Sequence, residues 1–316
     1  MNFPRILLAI LGIFCFGIAY FAVPALAGKT SSDKILVAQV VLYASGVMFG
    51  VLIVVYKRLL AWLDNLAAEI HQRFPGSVPV KARGSAFEKF MNALFVILLM
   101  ASLLFAFVDR DVIVFLARED SILQNATAAF YLIAAILNSI LLIRIKNYPL
   151  LRLNLLVLSL LFFIVGMEEI SWGQRLFNIE TPEALEQINI QNELTLHNIW
   201  SISLTTFPAL FVTTTLLVFF PLFNRYSTRA RKYLSAIQFP TAAFELAFLY
   251  VAMVVVYFII GFRLGTPLPL PISYKGLPSG VDDEFMEFFI SYLFLVASFT
   301  YWRIDLRRAQ HVKESS

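Results

Sequence analysis

Two adjacent carboxylates, Glu168 and Glu169, stand at the end of the fifth long apolar run of the chain. Charge beside hydrocarbon is costly, so such residues are usually paired, directed into a cavity or functional. Two carboxylates in a poorly hydrated place tend to differ in protonation, and one can then act as an acid while the other acts as a base. Together they could also hold a divalent metal, although the sequence specifies neither a metal nor another cofactor.

A glutamate and a histidine follow at a spacing of four residues, Glu193 and His197. On a helix this spacing places both side chains on one face, where the carboxylate orients the imidazole or both bind one metal. Imidazole titrates near neutral pH, which suits proton transfer. We therefore predict that Glu168, Glu169, Glu193 and His197 are catalytic residues.

The same region carries side chains suited to holding a substrate. The planar guanidinium of Arg175 fits a phosphate or a carboxylate. If the fifth helix continues through residue 175, Glu168, Trp172 and Arg175 share one of its faces. The predicted substrate-binding residues are Arg175, Gln174, Trp172, Asn192, Asn198, Glu119 and Asp120.

Structural interpretations of these residues remain open beside the functional ones. Glu168 and Arg175 could form an ion pair that closes a helix end. His197 could cap a helix or bind a backbone carbonyl. Trp172 could belong to the belt of aromatic residues at a membrane surface.

The elements that position these residues are membrane helices. The 316 residues are 59% hydrophobic and 15% charged, whereas soluble domains are about 25% charged. Several apolar runs reach the roughly 20 residues needed to cross a bilayer, and helices satisfy their own backbone there. We predict an all-α transmembrane helix bundle of about eight spans in a single membrane domain, residues 1–316. The predicted spans are 5–27, 35–56, 90–108, 124–143, 153–168, 199–223, 240–262 and 285–302.

The distribution of charge predicts the orientation. Most of the 25 Lys and Arg residues fall in the segments on the side of the two termini, and most of the 21 acidic residues fall on the other side. The positive-inside rule therefore places both termini in the cytoplasm of a plasma (inner) membrane. The isoelectric point near 9.1 then reflects topology, and nucleic acid is not an expected partner.

The loops differ in character. Residues 57–89 are predicted to include an amphipathic helix on the cytoplasmic leaflet, and residues 168–198 and 264–284 are predicted to be extracytoplasmic loops. Membrane lipids are the expected partners, and the oligomeric state stays open. The first apolar run also resembles a secretory signal, since Arg5 precedes it and Ala25-Leu26-Ala27 follows it. Its length favours an uncleaved helix, and cleavage would leave seven spans.

Acidic residues occur in three of the predicted extracytoplasmic hairpins. The first contains Glu119 and Asp120, the second is the central segment from residue 168, and the third contains the run 282–284 and Glu287. These clusters could converge on one pocket. Alternatively, the residues 282–284 complement the dipole of a helix N-terminus.

The central segment has a recognisable pattern. Residues 168–175 (EEISWGQR), then Thr181-Pro182, then the spacing NxQxExxxHN over residues 189–198 resemble a group of bacterial multi-pass membrane proteins with no established activity. The resemblance covers about residues 110–200 and implies one continuous site without naming a reaction. The segment is also faintly similar to CAAX-type intramembrane proteases, which carry a Glu-Glu-x-x-x-Arg motif; here Gly173 occupies the arginine position.

Three functional classes follow from these residues. The first is an integral membrane enzyme, a hydrolase or transferase, whose extracytoplasmic acid and histidine site acts on a lipid or a lipid-linked substrate. The second is a transporter or channel with an acidic site for a cation or a proton. The third is a non-catalytic assembly or scaffold protein. Substrate and reaction type are not specified by the sequence.

Overall fold

The computed structural model of the chain describes fourteen segments of backbone. These are residues 9–10, 12–13, 15–17, 19–20, 32–74, 86–109, 112, 115–116, 122–146, 148–177, 181–182, 195, 202–264 and 281–314. For some of them, among them Arg175, Asp282 and Asp283, only the backbone is described.

The described residues are helical almost throughout, and none of them lies in a strand. The helices are α1 (Ser32–Arg73), α2 (Ala86–Val108), α3 (Ile122–Arg144), α4 (Pro149–Glu169), α5 (Gln174–Phe177), α6 (Ile202–Thr214), α7 (Phe220–Tyr226), α8 (Thr228–Ala236), α9 (Phe244–Leu264) and α10 (Val281–Glu314). A 3-10 turn, Ser171–Gly173, separates α4 from α5, and a π-helical segment, Thr215–Phe219, joins α6 to α7. The predicted all-α class is confirmed.

Within the described part of the chain, five helices are long and apolar enough to cross a membrane. They are Ala86–Val108, Ile122–Arg144, Pro149–Glu169, Pro208–Tyr226 and Glu284–Tyr301. A sixth candidate is the pair Leu42–Met48 and Ile53–Arg73, bent by 63° within α1, and the apolar stretch Phe244–Ile260 of α9 is shorter. The chain is therefore a multi-pass membrane protein by composition and helix length, while the count of eight and the side of the termini stay predictions.

The chain divides into two compact units, Met1–Ile70 and His71–Ser316. In the first unit, Gln39 Nε2 donates a hydrogen bond of 3.3 Å to the carbonyl of Ala19. The rings of Phe16 and Tyr43 lie 5.9 Å apart. Helix α1 continues from the second predicted span, past the bend, into residues 57–73. That this part is amphipathic and lies on the cytoplasmic leaflet stays a prediction.

In the second unit, α3 packs against both α4 and α10. Rings from the three helices meet, since Phe162 lies 6.0 Å from Tyr131 and 4.8 Å from Phe294. The approach of α3 and α4 is close at Gly166, where an added Cβ would lie 3.1 Å from Leu132 Cγ and 3.2 Å from the Ala128 carbonyl oxygen. Small residues permit such approaches between membrane helices.

Polar contacts also join these three helices. The Ser159 hydroxyl donates to the Ala135 carbonyl oxygen at 2.6 Å. Asn138, fully buried, donates from Nδ2 to the Ser298 hydroxyl at 3.2 Å. Hydrogen bonds between membrane helices contribute about 0.6 kcal/mol each on average, so close packing provides most of the association.

The ends of α4 and α10 give the second unit two chemically different ends. Helix α4 begins near Arg152 and finishes at Glu169, while α10 runs the other way, from Glu284 to Tyr301 and beyond. Tyr301 packs against the apolar cluster of Leu141, Ile145, Leu151 and Leu155 at the turn between α3 and α4. We call the end with Glu169 and Glu284 the acidic end, and the end with the α3–α4 turn the basic end.

Candidate functional site

Three carboxylates come together at the acidic end. Glu169 is the last residue of α4, while Glu284 and Glu287 lie one turn apart at the start of α10. One carboxylate oxygen of each lies within 4.8 Å of the others. All three side chains are half-buried, and Oε2 of Glu284 is fully buried. We call these three residues the carboxylate cluster.

The packing of α3, α4 and α10 explains how residues more than a hundred positions apart meet. The apolar residues around Glu284 and Glu287, namely Phe285, Met286, Phe288 and Phe289, are buried in the core. They fix the first turns of α10 against the bundle, so both glutamates are held beside the end of α4. Tyr131 of α3 is buried in the same core.

The carboxylate cluster has a simple electrostatic consequence. Like charges at this separation repel one another, and partial burial weakens the screening by water. A shared proton or a bound cation relieves the repulsion. Because the donors are all carboxylate oxygens, the cluster suits hard cations such as Mg²⁺, Ca²⁺ or Mn²⁺ better than metals that favour sulfur or imidazole.

Helix α4 ends at Glu169 because the next residues leave the right-handed conformation. Ser171, Trp172 and Gly173 have φ angles of 48°, 55° and 78°. The left-handed conformation costs a non-glycine residue about 1–2 kcal/mol. Such strain persists only where the surroundings enforce it, and it is concentrated at functional sites. The helix therefore does not continue through residue 175, and the shared face considered for Glu168, Trp172 and Arg175 does not form.

The strained turn determines the position of Glu168. The indole Nε1 of Trp172 donates a hydrogen bond of 2.6 Å to Glu168 Oε1. The indole ring stands edge-on to Phe163, with centroids 6.4 Å apart. Glu168 and Trp172 therefore do meet, as the sequence suggested, but through a left-handed turn. Their contact separates the roles of the two neighbouring glutamates, since Glu169 joins the carboxylate cluster and Glu168 binds the indole.

The start of the following segment is also tied down. The Gln174 amide donates to the Thr181 hydroxyl at 2.6 Å. Arg175 lies in α5, and its side chain is outside the described residues. Asn192, Glu193, His197, Asn198, Glu119 and Asp120 are outside them as well. Of the predicted site residues, the structure thus places Glu168, Glu169, Trp172 and Gln174 in one short region.

Glu284 and Glu287 were not among the predicted site residues, although they belong to the third acidic cluster, which was expected to be able to converge with the other two on one pocket. The available signal was weak: two glutamates three residues apart at the start of a helix often complement its dipole. Their meeting with Glu169 depends on how α10 packs against α4. Hydropathy carries no information about that contact.

Comparisons with protein-family models, with curated proteins and with solved structures found no match to this chain.

Proposed function

We propose that the chain is an integral membrane enzyme, a hydrolase or transferase, that acts on a lipid or a lipid-linked substrate at the acidic end. The observation that carries this proposal is the carboxylate cluster, in which Glu169, Glu284 and Glu287 place ligand atoms within 4.8 Å of one another. The cluster lies at the ends of two membrane-crossing helices, where water and lipid head groups are both within reach.

In this proposal the carboxylate cluster holds a divalent cation. Such a cation would polarise a phosphoryl or carbonyl oxygen and favour ionisation of a bound water. Glu169, Glu284 and Glu287 would be its ligands, and its charge would offset their mutual repulsion. Glu168, which accepts the hydrogen bond from Trp172, would lie outside the ligand set and would hold or move a proton. Arg175 would bind the phosphate of the substrate, and Glu193 would orient His197 as a second acid or base.

The surroundings of the carboxylate cluster favour a lipid over a soluble substrate. Three large apolar side chains near the cluster are exposed: Phe163 in α4, Trp172 in the 3-10 turn and Phe177 in α5, the last to 74%. In a bilayer these rings contact acyl chains and head groups. A substrate that arrives along the membrane would therefore place its head group beside the carboxylates. By the positive-inside rule, the basic residues at the other end support an extracytoplasmic position for the acidic end in the plasma membrane.

Lipid turnover by the purified full-length protein tests the proposal. The protein is placed in nanodiscs with a mixture of phospholipids and polyprenyl phosphates, with Mg²⁺ or Mn²⁺, and the lipids are followed by mass spectrometry. We expect a product that depends on the cation and falls at least about tenfold in Glu169→Gln and in Glu287→Gln, since loss of a metal-site group typically has this magnitude. The matched control is Glu245→Gln, an exposed carboxylate of α9.

Two results would contradict the proposed enzymatic activity. One is no lipid product under any of these conditions from folded protein. The other is turnover that is equally fast in wild type, Glu169→Gln and Glu287→Gln. His197→Ala separately tests the histidine, and full activity in that variant would remove its proposed role while leaving the carboxylates in place.

A transporter for a cation or a proton is the second candidate, and one observation favours it. Helix α4 is interrupted directly after Glu169, and the π-helical segment Thr215–Phe219 interrupts a second membrane-crossing helix. Interrupted helices with nearby carboxylates are typical of cation sites in transporters. Ion flux into proteoliposomes that requires Glu169, without any lipid product, would favour this candidate over the enzyme.

A further inference from the structure

The basic end of the second unit carries a dense set of exposed cations. They are Arg144 and Lys146 at the α3–α4 turn, Arg152 in the first turn of α4, Arg225 in α7, and Arg229, Arg231 and Lys232 in α8. We call these seven residues the basic patch. Residues 139–167 and 214–244, from which the patch is built, contain no aspartate or glutamate, and Glu245 follows directly after them.

Two hydrogen bonds hold the two halves of the basic patch together. The backbone N–H of Leu151 donates to Gln238 Oε1 at 3.2 Å, and Asn154 Nδ2 donates to the Ile237 carbonyl oxygen at 2.8 Å. Gln238 is fully buried and has a φ of 51°. The end of α8 is therefore fixed against the first turn of α4, so cations from two different helical hairpins lie on one end of the bundle.

Helix α8 is also fixed at its start, by one of its own cations. Arg231 donates from Nε to the Asn224 carbonyl oxygen at 2.9 Å and from Nη2 to the Arg225 carbonyl oxygen at 3.1 Å. It thereby satisfies the last carbonyls of α7. Leu234 and Ala236 are buried, whereas Arg229 and Lys232 are exposed on the other side of the short helix. Because Arg229 and Lys232 are three positions apart, their side chains project from one face of α8.

Aromatic residues lie next to these cations at the end of a membrane-crossing helix. The candidate span Pro208–Tyr226 finishes where α8 begins. In its last turn, Phe223 is 52% and Tyr226 is 73% exposed. Aromatic rings in the last turn of a membrane-crossing helix contact the interfacial region of a bilayer. Cations just beyond them reach the level of lipid phosphates. This layering is expected for a membrane surface and not for a site that binds phosphate from water.

We propose that the basic patch binds the phosphate groups of anionic phospholipids in the leaflet at the basic end. Arg152, Arg229 and Lys232 supply the contacts, because all three are exposed at this end of the bundle, whereas Arg231 is used structurally. Arginine donates two parallel hydrogen bonds to a phosphate, and lysine contributes a compact charge. The binding is independent of the chemistry proposed for the acidic end.

Native mass spectrometry of the full-length protein in detergent tests this inference. Phosphatidylglycerol and phosphatidylcholine of equal chain length are titrated, and the apparent Kd of each is measured. We expect tighter binding of phosphatidylglycerol, and an apparent Kd that rises about fivefold for each cation replaced in Arg152→Gln, Arg229→Gln and Lys232→Gln. The matched control is the charge-conserving set Arg152→Lys, Arg229→Lys and Lys232→Arg, which should keep the preference.

Three outcomes would overturn the inference. The first is equal binding of the two lipids by wild type. The second is an unchanged preference in the three glutamine variants. The third is displacement of phosphatidylglycerol by inorganic phosphate at equal phosphate concentration, which would assign the patch to a soluble anion. Each glutamine variant is also measured alone, so a combination that fails to fold leaves the single effects to decide. If the basic patch instead binds an acidic protein, wild type should bind the two lipids equally, which is the first outcome.

Discussion

At the scale of single residues, the turn after Glu169 determines what each glutamate does. Glu168 is hydrogen-bonded to the Trp172 indole, and Glu169 faces Glu284 and Glu287. Neighbouring residues of one sequence motif therefore have separate environments. The sequence identified both glutamates as site residues because charge at the end of an apolar run is costly. It did not reveal their separation, since the turn depends on three successive positive φ angles.

Gly173 offers a direct test of that turn. Its φ of 78° suits glycine, and a Cβ there would lie 3.1 Å from two ring atoms of Phe177. We expect Gly173→Ala to lower the free energy of unfolding by about 1–2 kcal/mol, measured by thermal unfolding in detergent. Gly17→Ala is the control, because Gly17 is helical with nothing within 4 Å. That change should be neutral or stabilise by up to about 1 kcal/mol. Equal effects of the two substitutions would contradict the strained turn.

At the scale of elements, the positions of the membrane helices followed closely from hydropathy. The spans predicted at 90–108, 124–143 and 153–168 correspond to Ala86–Val108, Ile122–Arg144 and Pro149–Glu169. A long apolar run in a bilayer forms a helix because a helix satisfies the backbone hydrogen bonds within the segment. The π-helical segment Thr215–Phe219 and the separate helix α8 were not predicted. Helix α8 is held at its start by Arg231 against the last carbonyls of α7 and at its end by Gln238 against α4. Hydropathy does not report these contacts.

The contact between α3 and α4 gives a prediction for a pair of elements. An alanine at position 166 would bring its Cβ to 3.1 Å from Leu132 Cγ and 3.2 Å from a backbone oxygen. The helices would have to separate slightly, and overpacking of this kind costs about 1–3 kcal/mol. Thermal unfolding should show that loss for Gly166→Ala. The control Val157→Ala, at an exposed position of α4, should change stability much less. Equal stability of wild type and Gly166→Ala would mean that the helices are not closely packed there.

At the scale of the whole molecule, the separation of charge is the main organising feature. The second unit has carboxylates at one end and exposed arginines and lysines at the other. The sequence predicted this separation from the positive-inside rule. It did not predict which carboxylates meet, because that depends on the antiparallel packing of α4 and α10. The roles of His197, Glu193, Arg175, Glu119 and Asp120 stay predictions.

Orientation in the membrane can be measured with reporter fusions. Helix α10 runs from the acidic end toward the basic end, so we expect the C-terminus on the same side of the membrane as the basic end. We expect green fluorescent protein fused after Ser316 to fluoresce, and alkaline phosphatase at the same place to be inactive, because the first folds in the cytoplasm and the second outside it. Phosphatase inserted between residues 265 and 280 should be active. The reverse pattern would contradict the proposed extracytoplasmic site.

Equilibrium binding of Mn²⁺ to the full-length protein in detergent, followed by electron paramagnetic resonance, tests the carboxylate cluster most directly. We predict one saturable site in wild type and in Glu245→Gln, and an affinity at least about tenfold lower in the double variant Glu284→Gln and Glu287→Gln. Affinity should fall on acidification, because protons compete with the cation for the same oxygens. Absence of saturable binding to folded wild-type protein, or binding that is unchanged in the double variant, would contradict a metal-binding cluster formed by Glu169, Glu284 and Glu287.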